Sequence, residues 1–142
     1  MTIKELARRA ATINIPDLKR KAVKNKEKRL VELQQKQIRQ GMNAAGGFFK
    51  SYPAGYAAYK STLSTYHAPI GVPDLFLKGN FARGIRMKLS GDDYLFDSTD
   101  SKNDKLDSKY RPFGLNSTTL PQAQVLVTNE FDQLAGKHLG LI

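Results

Sequence analysis

The chain has 142 residues, carries 23 Lys+Arg against 13 Asp+Glu for a formal net charge of +10, and contains no cysteine or tryptophan. Its length supports one real hydrophobic core, and 40% apolar residues argue for a folded chain over wholesale disorder. The missing cysteines exclude disulfides, thiolate metal sites and cysteine nucleophiles within it, the apolar runs are too short to span a membrane, and charges from Lys4 onward predict no secretory leader.

The charge is segregated. Residues 1–40 hold twelve Lys+Arg and four Asp+Glu, a net of +8, which leaves +2 for residues 41–142. Within that remainder Asp92, Asp93, Asp97, Asp100, Asp104 and Asp107 are interrupted only by Lys102 and Lys105. A basic N-terminal arm and an acidic loop follow. Two opposite patches suit head-to-tail self-association as well as they suit nucleic acid.

Thr2-Ile3-Lys4-Glu5 has the form of a capping box and predicts a helix over about 3–11. Ile15-Pro16-Asp17 opens a second helix, with Pro16 at the first helical position, where its missing N–H costs nothing. Leu18, Ala22, Leu30, Leu33, Ile38 and Met42 mark a broken apolar stripe out to about Met42, and Glu32 stands four residues before Lys36 for an ion pair. From Lys19 to Lys28 the helix has almost no apolar face, as expected of a segment that projects into solvent or onto a partner. Gly46-Gly47 breaks it. Tyr52, Tyr56 and Tyr59, spaced by four and three, predict a brief helix opened by Pro53, and their rings are expected to serve as core contacts. Pro69, Gly71 and Pro73 make an extended loop.

Sheet follows. Ile85-Arg86-Met87-Lys88-Leu89 alternates without a fault, Ser90 to Asp93 supply turn chemistry, and Tyr94 to Phe96 return as the partner strand. Asp74 to Leu77 is a further candidate strand. Ser101 can cap a short helix to about Tyr110. Leu120-Pro121 opens a last helix buried through Val127, Phe131, Leu134 and Ala135 and ended by Gly136 or Gly140. The competing assignment makes Ala123 to Val127 a strand. The organisation expected is a basic helical arm over 1–45 and an α+β body over 46–142, one structural domain overall.

Catalytic and metal constellations are missing. His67 and His138 have no ligand partner at helical spacing. From Asp97, a calcium loop would need Gly at its sixth position and Glu at its twelfth; Lys102 and Ser108 stand there instead. Gly46-Gly47 and Gly79 lack the context of a phosphate-binding loop. No catalytic residue, metal ligand or cofactor is therefore assigned. Lys19, Arg20, Lys21, Lys24, Lys26, Lys28 and Arg29 can be a solvated helix face, can dock on an acidic protein neighbour, or can bind phosphates. No aromatic residue stands among them to stack bases. Asp97, Asp100, Asp104 and Asp107 are the acidic counterpart.

From about residue 17 to 135 the order of features resembles the tail-completion, or virion-morphogenesis, family of phage proteins at the head–tail junction. The pattern runs from a long charged helix through Gly46-Gly47-Phe48-Phe49 to a segment ending Tyr-x-x-x-Lys, here Tyr56 and Lys60. Next comes Asp74-Leu75-Phe76-Leu77-Lys78-Gly79-Asn80-Phe81 before the first strand. A Tyr-containing segment then closes on Phe-Gly, here Tyr110, Phe113 and Gly114. Lys78 replaces the family's small hydroxyl residue, and Leu120-Pro121 matches a closing Pro-rich element loosely. The resemblance implies an α+β fold: a small, mainly antiparallel sheet flanked by helices, with a long basic N-terminal helix. It further implies a non-enzymatic structural protein of the virion neck or tail, assembled in the bacterial host cytoplasm as a homo-oligomeric ring of roughly six or twelve copies. Portal, adaptor and tail proteins would be its partners, DNA would pass through the lumen without base-specific binding, and no membrane would be involved. The alternative from charge alone is a basic nucleic-acid-binding protein of ribosomal or nucleoid type.

Overall fold

A computed structural model describes residues 1–75 and 79–142. Seven helices and one two-stranded antiparallel sheet lie among them, so the fold is α+β. The chain divides into two compact units, residues 1–28 with 121–142, and residues 29–120. The expected arm–body boundary at 45/46 does not coincide with this division, because the last helix groups with the N-terminal ones.

The first unit holds α1 (Ile3–Ala11), α2 (Ile15–Asn25) and nearly all of α7 (Leu120–Leu139). Thr2 caps α1 by accepting from the Glu5 N–H at 3.1 Å. Only that half of the capping box forms, since the Glu5 carboxylate takes the Arg9 guanidinium at 3.1 Å. Asn14 caps α2 through the Asp17 N–H, with Pro16 in the first turn. Ala22 and Ala123 are the buried apolar residues of this unit. Polar contacts tie its segments. Asn25 donates to Glu130 Oε1 at 2.9 Å, and Lys26 lies 3.7 Å from Glu130 Oε2. His138 Nε2 is 3.0 Å from the Arg9 carbonyl, which can only accept, so this nitrogen carries the proton. α7 ends at Gly140, φ 75°, where Leu141 N–H returns to the Gly136 carbonyl as a left-handed helix end requires. The strand alternative over Ala123–Val127 is overturned by this unbroken helix.

The single helix expected from Pro16 to Met42 is two. α2 stops at Asn25, the Lys26 N–H reaches back to Ala22 and Val23, and α3 runs Glu27–Arg39. It ends short of Gly46-Gly47 because Gly41 already takes φ 79°. Glu32 pairs with Arg29 at 3.5 Å rather than with the expected Lys36.

The second unit adds α4 (Ala54–Ser61), α5 (Asn80–Arg83), β1 (Ile85–Ser90), β2 (Asp93–Ser98) and α6 (Asn103–Tyr110). β1 and β2 pair in unbroken register from Ile85–Ser98 to Ser90–Asp93. Gly91, φ 62°, opens the two-residue turn, where a hairpin of right-handed twist needs a left-handed residue. The other candidate strand, Asp74 to Leu77, does not form at Asp74 and Leu75, and the rest of it lies outside the described residues. Ile38, Phe49, Phe81 and Ile85 form the core, flanked by Val31, Leu75, Phe96, Leu106, Tyr110 and Phe113. Edge-on rings join Phe49 to Tyr110, and tilted rings join Phe81 to Phe113, both at 5.7 Å.

Two glutamines on the inward face of α3 fasten a distant loop to this core. Gln34 donates to the Pro112 carbonyl at 3.2 Å and accepts from the Gly114 N–H at 2.7 Å. Gln37 donates to the Gly114 carbonyl at 2.7 Å and accepts from the Asn116 N–H at 2.9 Å. Both side chains are almost fully buried. Each amide thus offers one donor and one acceptor to the loop, as a neighbouring strand would. Replacing Gln37 by Leu keeps the volume but strands a buried N–H and a buried carbonyl. Chemical denaturation should show a loss of about 2–4 kcal/mol; a change within experimental error would refute the clamp.

Candidate functional site

Helix α4 is short, and its inward side is the row Ala57–Lys60, not the tyrosine row. Lys60 is 1% exposed and Asp74 1% exposed, with Nζ 2.7 Å from Oδ1. The ammonium also sits near the rings of Tyr52 and Tyr66, at 6.0 and 5.8 Å from their centroids. Tyr66 donates to the Pro69–Val72 loop, with its oxygen 2.6 Å from the Val72 carbonyl. Burial pushes the Tyr52 phenol well above its ordinary range, and the negative Asp74 adds to the shift, so the hydroxyl stays protonated. Lys60 also lines a cleft of about 490 Å³ whose described walls include Tyr52, Tyr56, Tyr110, Asp100 and Lys102. Lys60 reaches Asp74 from the inward side of α4. Its chemistry here is attachment of α4 to the Val72–Asp74 segment.

The tyrosine stripe does not serve as core. Tyr56 is 40% and Tyr59 52% exposed, while Tyr52 is half-buried. The rings meet one another along the surface, Tyr52 edge-to-face with Tyr56 at 4.8 Å and Tyr56 tilted against Tyr59 at 6.0 Å. Lys60 occupies the inward position that a pattern-based reading gives to an apolar residue.

Other motif residues converge in the same unit. Phe81, Tyr110 and Phe113 belong to the core and its flank. Gly114 takes φ 120° and is held by both glutamines. Gly79 takes φ 83° at the start of α5. Leu77, and Lys78 beside Gly79, lie outside the described residues.

The basic residues divide. Arg20 pairs with Asp17 at 3.0 Å, Lys26 with Glu130, and Arg29 with Glu32. Lys19, Lys21, Lys24 and Lys28 are exposed and form no ion pair among the described residues. Lys21 and Lys24 share a face of α2, and Lys28 opens α3.

The acidic residues do not make one uniform patch. Asp97 lies in β2, bonded by Arg86 at 2.8 Å and Lys88 at 3.2 Å on β1. Asp100 spends a carboxylate oxygen on the Lys102 N–H at 2.7 Å. Asp104 and Asp107 are exposed on α6. The hydrogen bond from Arg86 is the main reason the Asp97 carboxyl is held below its usual range. The pair therefore contributes at and above the ordinary carboxylate range, and that contribution is lost as pH falls through the lowered value.

Matches to known proteins are absent at every level: no family model, no curated protein and no solved structure corresponds to the chain.

Two outcomes test these sites. Lys60→Met should cost about 3–5 kcal/mol by taking the Lys60 ammonium away from the buried Asp74, and Lys60→Met with Asp74→Leu should recover most of it. A double variant as unstable as the single one would contradict the pair. In an NMR titration Asp97 should titrate below 3.8, and a midpoint at or above that value would contradict the Arg86 bond.

Proposed function

We propose that this chain is a non-enzymatic structural protein of a phage virion, forming a ring at the neck or tail that joins the portal and adaptor layer to the tail around the DNA channel. The observation that carries this reading is the convergence of the motif residues. Lys60, Phe81, Tyr110, Phe113 and Gly114, scattered between residues 60 and 114, all serve one compact unit as ion-pair anchor, core or clamped loop. Residues that follow the order of the resemblance and also hold a body together are what a shared architecture would retain. The surface suits assembly: four lysines that form no ion pair among the described residues on one segment, two exposed aspartates on another. Backbone and phosphate contacts would let DNA move through such a ring, whereas base readout would stall it.

The same four lysines favour a second reading, a nucleic-acid-binding protein of ribosomal or nucleoid type. One variant separates the two. Reversing Lys21, Lys24 and Lys28 to Glu changes only exposed groups and should leave thermal stability within about 0.5 kcal/mol. Under the ring reading the variant stays folded and its assembly, followed by sedimentation, is lost. Intact assembly, together with loss of a DNA affinity that falls steeply with salt, would replace the ring reading with the second one.

A further inference from the structure

Ser90 and Asp93 flank a two-residue turn and so form a narrow pair with two hydrogen bonds. The alternation from that pair aims the backbone groups of Met87, Leu89, Tyr94 and Phe96 away from the partner strand. Ser98, next in the outward series, already gives its N–H to Asn103 Oδ1 at 3.1 Å. Among the described residues, no other element hydrogen-bonds the backbone at 86–90 or 93–97. Among the described residues both edges of the hairpin are therefore open, without the proline or bulge that commonly blunts an edge.

The two edges carry opposite charge. β1 presents Arg86 and Lys88, and β2 presents Asp93 and Asp97, all on one face of the hairpin. The other face is apolar. Ile85 is buried and Phe96 packs on the core, while Leu89 near the tip is 54% exposed. Two copies can meet edge to edge in three ways. β1 against β1 sets arginine and lysine beside themselves, and β2 against β2 does the same with the aspartates. Like charges directly opposed weaken a strand pair. β2 against the next copy's β1 sets aspartates beside arginine and lysine. That repeats the contacts the hairpin makes internally, Asp97 with Arg86 at 2.8 Å and with Lys88 at 3.2 Å. It also continues the apolar row into the neighbour. The two repulsive pairings are two-fold dimers. The attractive one leaves one open edge of each kind and propagates until it closes.

We infer that copies of this chain associate head to tail by adding β2 of one copy to β1 of the next, in one continuous antiparallel sheet. This rests on the ring reading and names one contact of the ring, beside the docking of the α2 and α3 lysines on a neighbour. The variant carrying Arg86→Asp, Lys88→Glu, Asp93→Lys and Asp97→Arg exchanges all four signs, so every pair within the hairpin stays attractive. When dissociated wild-type and variant chains are mixed, one isotopically heavy, native mass spectrometry should find each assembling with its own kind. Mixed rings should fall about ten-fold or more below random expectation. Random mixing would overturn the sheet contact and leave the ring reading standing. A wild-type chain that stays monomeric at every concentration would overturn both. A second measurement needs no variant. The amides of Met87, Leu89, Tyr94 and Phe96 should exchange quickly in dilute monomer and slow about ten-fold or more on assembly. Assembly with those amides still fast would overturn the pairing.

Discussion

The unit formed by residues 29–120 depends on the pair of buried amides, Gln34 and Gln37. They join α3 to a loop 77 to 80 residues further along the chain through four hydrogen bonds. A one-sided match would leave polar backbone buried without a partner; here each amide meets both a donor and an acceptor. The clamp fixes Phe113, which lies on Phe81, and Tyr110 just before it meets Phe49. It also places Asn116, whose side chain accepts from the N–H groups of Thr118 and Thr119 immediately before α7.

A second polar device, the Lys60–Asp74 pair, works in the same unit, where the buried apolar cluster has four members among the described residues. Removing two charges from water is costly, and an apolar pair of equal volume would be at least as stabilising. What the charged pair supplies is geometry. A lysine and an aspartate of fixed reach set where α4 meets the Val72–Asp74 segment more narrowly than two methyl-rich side chains would. Polar groups this selective tolerate few alternative packings.

Local patterns were legible where they coincide with local physics. The alternation from Ile85 to Leu89, the turn after it, and the opening of α7 at Leu120-Pro121 follow from period and turn chemistry alone. The same patterns hid what is settled at long range. Gln34, Gln37 and Lys60 are polar at helical positions, so periodicity assigns them to solvent; their partners lie far off in sequence and carry no signal near them. That error also turned the tyrosine row of α4 inward. The break at Lys26 has no glycine or proline to announce it, although Gly41 marks where α3 stops. The charge segregation was legible as a sum but not as a surface. Asp97 is neutralised across the hairpin by Arg86 and Lys88 instead of joining Asp104 and Asp107.

Cross-strand neutralisation leads from fold to assembly. A hairpin whose two strands carry opposite signs is satisfied internally and still offers each sign at an open edge. The proposed head-to-tail addition would use that arrangement where two-fold pairing would oppose like charges, and it would end in a closed ring where the rotation between copies closes. Electron microscopy of the purified chain, concentrated at low salt, tests this most directly. It should show closed rings of uniform copy number, and a field of two-fold dimers or unassociated monomers would contradict it.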